Sequence, residues 1–284
     1  MISLVLVSVT AFIGGGLCGK NLAMKGITSD NALKNYQQPL VWLLVAIAPC
    51  LGCLIILDKF HLSYLLPRIF PPMLLIYLAG YFNEIIVWLG CFFLGLLVFL
   101  ELLGQRSKKQ ITQLLAAISA IAFALSILLY FLQPVQVAQS KTVDGIVIQT
   151  TPYTCAPSSI ATLGRYSKRY PYLTEKEVLK LTKTNRFGTT TLAEIRAMKK
   201  LHLNPQYHHN LTIEDLISLN QPALMHVKEK RKKGQGVRFS HAVTYLGVDP
   251  RREIILIGNP LFGIQVKTFA ALREYWFGEA ITIK

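Results

Sequence analysis

The sequence has little charge, and acid is the scarcer sign. Only 16% of its 284 residues are charged, with 15 Asp and Glu against 30 Lys and Arg, for a formal net charge of +15. Hydrophobic residues make up 52% and the mean hydropathy is +0.41, which argues against both a wholly soluble enzyme and a disordered chain. No basic residue precedes the first apolar stretch, so the positive leading region of a cleaved signal peptide is missing. There is no H-E-x-x-H motif, and the only C-x-x-C lies in an apolar run, so neither a metal nor a cofactor is expected. Cysteine is scarce too. Of the five, Cys18, Cys50, Cys53 and Cys91 fall in apolar runs, which leaves Cys155 alone in the second half and excludes a disulfide within it.

What is present divides the chain. Residues 1–140 carry 8 Lys/Arg and 4 Asp/Glu, whereas residues 141–284 carry 22 and 11. The first part holds four apolar stretches, Ile2–Cys18, Leu40–Leu57, Ile85–Leu103 and Thr112–Leu132. Each is close to the roughly 20 helical residues that cross a bilayer core. A shorter apolar piece, Met73–Phe82, follows Pro67, Pro71 and Pro72. It reads as an interfacial or re-entrant segment, or as an early start to the third helix. Glu84 and Glu101, near the ends of the third span, read as interfacial.

Lys20, Lys25, Lys34, Arg106, Lys108 and Lys109 fall on one side of these spans, and Lys59, Arg68 and Lys141 on the other. The positive-inside rule makes the richer side cytoplasmic. A multi-pass protein of a bacterial inner membrane is therefore expected, with its C-terminal half in the periplasm. One further span would reverse the assignment to the cytoplasm.

The domain expectation is a membrane domain over residues 1–133, a linker over 134–142 and a globular domain over 143–284. In the last, Asp144–Gln149 reads as a short strand, and Pro157 sits in the first turn of a helix. Thr174 with Glu177, and Thr191 with Glu194, carry the capping-box spacing, and Thr212–Leu219 suggests another helix. Strands are expected at Ala223–Val227, Arg238–Val248, Glu253–Ile257 and Ala280–Lys284. Helices followed by an antiparallel sheet give an α+β domain.

Cys155 lies just before a predicted helix whose exposed N–H groups favour a thiolate. The same position also suits a small buried hydrophobe. A nucleophilic cysteine needs a base, an orienter for it and an oxyanion donor. His241 opens a strand, and a hairpin with Val248 near Glu253 places it opposite Pro260 and beside Asn259. Asp249 is eight residues from His241 in sequence, roughly 27 Å away at about 3.4 Å per residue, so Asn259 can orient the imidazole and Asp249 cannot. Gln149, six residues before Cys155, can fold its amide back toward the thiol as an oxyanion donor.

Gln149, Cys155, His241 and Asn259-Pro260, in that order, with the tail Gly263…Phe269…Trp276-Phe277-Gly278, resemble the double-glycine leader peptidases. These are the bacteriocin-processing branch of the papain-like cysteine proteases. The resemblance covers about half the chain and departs from the family pattern at Thr154, Ala156 and Asn259, where an acid, a glycine and an aspartate are usual. It implies an all-α transmembrane domain of about four helices followed by an α+β papain-like cysteine peptidase domain. The implied activity is cleavage of peptide or protein substrates at the membrane surface by Cys-His-Asn acyl transfer. Two alternatives stay open: a catalytically inactive peptidase-like module that binds a leader peptide or partner protein, and a Cys-dependent acyltransferase. The family's transporters add an ATPase, but no G-x-x-x-x-G-K-[ST] motif occurs here, so no ATP is expected.

The remaining motifs take plainer readings. Cys50-Leu51-Gly52-Cys53 reads as small-residue helix packing. His202, His208, His209 and His226 lack the accompanying ligands of a metal site. Lys228-Glu229-Lys230-Arg231-Lys232-Lys233 reads as a solvated hairpin tip, and secondarily as a contact for anionic lipid of the adjacent bilayer. No nucleic acid partner is expected, because interleaved aromatics are missing.

Overall fold

The computed structural model describes residues 2–27, 71–102, 132–232 and 235–284, with scattered positions between 115 and 130. The expected span Leu40–Leu57 with Cys50 and Cys53, the start of the Thr112 span, and most of the loop charges lie outside the described residues. The chain divides into one unit of residues 1–69 and 81–133 and another of 70–80 and 134–284.

Helix α1 spans Ile2–Met24 and α2 spans Pro72–Leu102. The short apolar piece after the prolines is therefore the beginning of the third expected span. Proline fits the first position of a helix, where its missing N–H has no intrahelical partner, so Pro72 opens α2 and does not interrupt it. Leu6–Met24 is long and apolar enough to cross a membrane, and Val87–Phe99 is a shorter apolar segment. Within the first unit α1 and α2 touch backbone to backbone: a β-carbon on Gly15 would strike the Phe92 carbonyl, and one on Gly95 that of Phe12. Small residues permit this approach.

In the second unit, β1 (Thr142–Val143) and β2 (Ile146–Val147) form a hairpin. One strand from Asp144 was expected, but Asp144 (φ 49°) and Gly145 (φ 81°) form the turn, since two left-handed residues suit a tight hairpin. Three helices follow, α3 (Cys155–Tyr166), α4 (Glu175–Thr182) and α5 (Thr191–Lys200). Thr174 and Glu177 make the capping box of α4, with Thr174 N–H donating to Glu177 Oε2 at 2.8 Å and Glu177 N–H to Thr174 Oγ1 at 3.3 Å. The α5 signature shifts by one residue. Thr190 is the cap, accepting from Ala193 N–H at 3.4 Å, and Glu194 turns into the interior instead of closing a box.

The sheet comprises β3 (Gln206–His208), β4 (Ala223–Lys232), β5 (Gln235–Asp249), β6 (Ile254–Asn259), β7 (Gly263–Thr268) and β8 (Trp276–Thr282). Helices α6 (Ile213–Leu219) and α7 (Phe269–Tyr275) complete the unit. The strand order is β3-β8-β4-β5-β6-β7, and every pairing is antiparallel. Period-two alternation sends Leu224, Ala242 and Ile281 to one face, against Ile160 and Leu163 of α3 and Met198 of α5. Met225, Val227, Val243, Tyr245 and Ile257 go to the other, against Leu216 of α6 and Leu272 of α7. Helix α3 is buried from Ala156 to Gly164, so the position of its first residue is fixed by packing along most of its length.

The basic run, expected as a solvated hairpin tip, is paired as strand as far as Lys232. Strand pairing continues through Lys230↔Arg238 and Lys232↔Gln235, and Lys233 and Gly234 lie outside the described residues.

Candidate active site

Three tethers bring the sequence-predicted residues together. Val147 N–H donates to Thr162 Oγ1 at 3.0 Å, fixing the hairpin to α3. Gln149 N–H donates to the carbonyl of Pro260 at 3.0 Å, placing the segment before Cys155 beside the end of β6. Ser159 Oγ donates to the Ala242 carbonyl at 3.0 Å, and Thr244 Oγ1 to the Ser159 carbonyl at 3.1 Å, so α3 lies on β5.

Cys155 is the first residue of α3 and is half-buried. Burial pushes its thiol up, while backbone hydrogen bonds from Ala242 and Ala156 act the other way. Ala242 directly follows His241. The backbone beside His241 therefore reaches the thiol, but neighbouring strand residues face opposite sides, and Nδ1 of His241 is buried and makes no hydrogen bond among the described residues. Catalytic hydrogen bonds are commonly long without substrate.

His241 is buried, and its Nε2 lies 3.1 Å from Asn259 Oδ1. Asn259 is fully enclosed and its four polar contacts fix its orientation. Its Nδ2 donates to Glu229 Oε2 at 2.7 Å and Gln265 Oε1 at 3.1 Å, while Oδ1 accepts from Leu261 N–H at 2.9 Å. A flipped amide would aim its oxygen at a carboxylate, so the oxygen faces His241. Nε2 must then carry the imidazole proton, and Nδ1 keeps the lone pair. Burial holds His241 down to about 4, opposed by the Asn259 bond and by the Glu229 charge. At neutral pH the ring is therefore uncharged, with its basic nitrogen unoccupied.

The hairpin register differs from the expected one: Val248 faces Ile255, not Glu253, and the register shifts between Tyr245 and Gly247. The irregularity moves the β6 end relative to β5, and the side chains of His241 and Asn259 still meet. Asp249 sits in the turn, its Oδ1 accepting from Arg251 N–H at 3.1 Å and Arg252 N–H at 3.3 Å.

Gln149 folds back on its own loop, with Nε2 donating to the Thr151 carbonyl at 2.7 Å. One of its two amide protons is committed there and the second is available. The same loop is held by Glu175, fully buried, whose Oε1 accepts from Thr150 N–H at 3.0 Å.

Glu229, Gln265 and Tyr275 were not anticipated. With His241 and Asn259 they form a row across β4, β5, β6 and β7, closed by α7. A signal existed for Glu229. It is the sole acid in the run from Lys228 to Lys233, and the alternation of Met225 and Val227 carries on to it, placing it on the core side. His226 is also enclosed, its Nε2 2.9 Å from Glu194 Oε2 and its Nδ1 3.3 Å from Glu279 Oε2. Burial works against its charge, but the two carboxylates raise it well above the usual histidine range. His208 bonds Thr282 Oγ1 at 3.1 Å.

No family model matches the chain, and no curated protein matches it. Among solved structures it is similar to the peptidase domain of Streptococcus ComA, a bifunctional ABC transporter involved in a quorum-sensing pathway, at 24% identity over 49% of this chain and 96% of that one, TM-score 0.39. It is similar to the peptidase domain of Streptococcus mutans ComA at 23% identity over 49% and 98%, TM-score 0.38. A double-glycine-motif protease from an AMS/PCAT transporter, solved in complex with the leader peptide, is similar at 19% identity over 54% of this chain and 97% of that one, TM-score 0.42.

Proposed function

We propose that the C-terminal half is a cysteine peptidase domain acting on peptide or protein substrates, held at a membrane by the apolar helices of the first half. The observation that carries this reading is the proton assignment forced on His241. Asn259 takes the Nε2 proton in a hydrogen bond, and the lone pair stays on buried Nδ1, in the residue next to the N–H that contacts the Cys155 thiol. A base in its neutral form, one strand residue from the N–H that reaches a thiol at the start of a 12-residue helix, supplies the groups that thiol acyl transfer requires.

In this mechanism Cys155 Sγ attacks the scissile carbonyl carbon as its proton passes to His241 Nδ1. The imidazolium is held by Asn259 Oδ1 and returns the proton to the leaving amine, which departs as the C–N bond breaks. Water, deprotonated by the same Nδ1, then hydrolyses the thioester and restores the thiol. The second amide proton of Gln149 and the Cys155 backbone N–H hold the oxyanion. No metal, cofactor or ATP enters these steps.

The motif resemblance supports a leader-type peptide as substrate. The apolar stretch Leu6–Met24 supports membrane attachment, and the distribution of loop charges supports an extracytoplasmic site. Lys228 of the basic run lies with Nζ 5.1 Å from the Phe277 ring centroid, and the basic run of β4 is where anionic lipid would contact the domain.

The test is site-resolved labelling of the full-length protein in detergent with a thiol-directed peptidyl probe, together with Cys155→Ala. Labelling is expected on Cys155 only, and a Cys155→Ala protein that labels as strongly as the parent removes the nucleophile from this mechanism.

A further inference from the structure

We propose that Glu229 is a positioning residue of this site, and that through Asn259 it supplies the negative charge an amide orienter lacks. The inference rests on the Cys155 and His241 reading above. A neutral amide can orient an imidazole but offers no full charge to the imidazolium that forms when the thiol proton is taken. Here the charge stands one residue back. Glu229 is buried, and its Oε2 receives Asn259 Nδ2 at 2.7 Å and the Tyr275 hydroxyl at 2.6 Å, while Oε1 receives Lys230 N–H at 2.9 Å.

All three contacts donate to the carboxylate and none competes with Asn259 for the ring. Among the described residues, Lys267 of β7 is a further charged group near this cluster, its Nζ 4.0 Å from the Tyr275 ring centroid. Val227 pairs with His241 and Glu229 with Phe239, so Glu229 is a diagonal neighbour of His241, at the roughly 7–8 Å typical of such positions. At that distance a buried unit charge stabilises imidazolium by a factor of about ten or more in equilibrium constant. The field of Glu229 on His241 acts in this direction.

The consequence is a bias on proton transfer from thiol to ring that Asn259 alone does not provide. The experiment uses the full-length protein in detergent with iodoacetamide as probe, which needs no substrate. Alkylation of Cys155 is followed by mass spectrometry on the tryptic peptide Thr142–Arg165 from pH 6 to 10.5, for the parent, Glu229→Gln, His241→Ala and the double variant Glu229→Gln/Asn259→Asp. Near pH 7 the Glu229→Gln rate is expected to fall about ten-fold or more. That difference should narrow as pH rises and the thiol begins to ionise without the ring. A merely structural loss would not follow that pH dependence.

The double variant exchanges carboxylate and amide between the two positions without changing the number of heavy atoms, and it should recover the parent rate to within about three-fold. It also carries the test if Glu229→Gln alone does not fold. A Glu229→Gln rate equal to the parent at pH 7 while His241→Ala is slow overturns the role of Glu229. So does a folded double variant that stays slow. A His241→Ala rate equal to the parent overturns instead the thiol–imidazole pair on which the inference stands.

Discussion

Replacing Asn259 by aspartate, the residue more usual at this place in the family the sequence resembles, should destabilise this protein, and more strongly as pH rises. The Asn259 amide donates to Glu229 Oε2 at 2.7 Å, so Asn259→Asp puts two carboxylates in direct contact, their charge centres about 4 Å apart. Two unit charges at that distance repel by about 4 kcal/mol at an effective dielectric constant near 20, equivalent to raising one carboxyl by about 3 units, to near 7. A carboxyl raised on folding costs nothing below its unfolded value near 4. Above that value the cost grows until the folded value is passed.

The variant should therefore lie within about 1.5 kcal/mol of the parent at pH 5 and about 4 kcal/mol below it at pH 8. For a domain of this size the larger figure lowers the Tm by roughly 8–16 °C. Thermal unfolding in detergent at both pH values, followed by tryptophan fluorescence, measures this, and adding Glu229→Gln should return most of the loss at pH 8. A deficit that is the same at both pH values, or absent, would refute the contact between these side chains as the reason for an amide at position 259.

Two further outcomes follow from the same structure. His226 is raised by Glu194 and Glu279, so its stabilisation is complete below the unfolded value near 6.5 and falls as pH rises toward the folded one. The stability deficit of His226→Gln relative to the parent should accordingly be larger at pH 6 than at pH 9 in denaturant titrations. Thr174→Ala removes a capping box with both bonds formed, and a loss of about 1 kcal/mol is expected, read as a lower unfolding midpoint with unchanged Cys155 labelling.

How much was legible in the sequence depended on whether the signal was local. Capping at Thr174 was readable because the bonds join residues three apart, and the helix at Cys155 because Pro157 marks a first turn. At α5 the same kind of signal misplaced the cap by one residue. Thr190 and Thr191 are equivalent locally, and the buried partner His226, 32 residues from Glu194, decides which way Glu194 faces. That the basic run belongs to a hairpin was legible from the turn residues at its end, but not how far pairing extends, because β5 supplies the partner as far as Lys232. The strands at Gln206 and Gly263 are short and exist through their neighbours.

The sequence by itself determined the division into an apolar, charge-poor half and a basic globular half, the single cysteine of the latter, and the order Gln149, Cys155, His241, Asn259, since these are properties of composition and spacing. Tertiary structure alone decided the proton on His241. That required the amide of Asn259 to be oriented by Glu229 and Gln265, on strands 30 residues before it and 6 after it. Such a network is a matter of register across a sheet. A shift of one residue sends every side chain to the other face, and no local pattern in the chain records it.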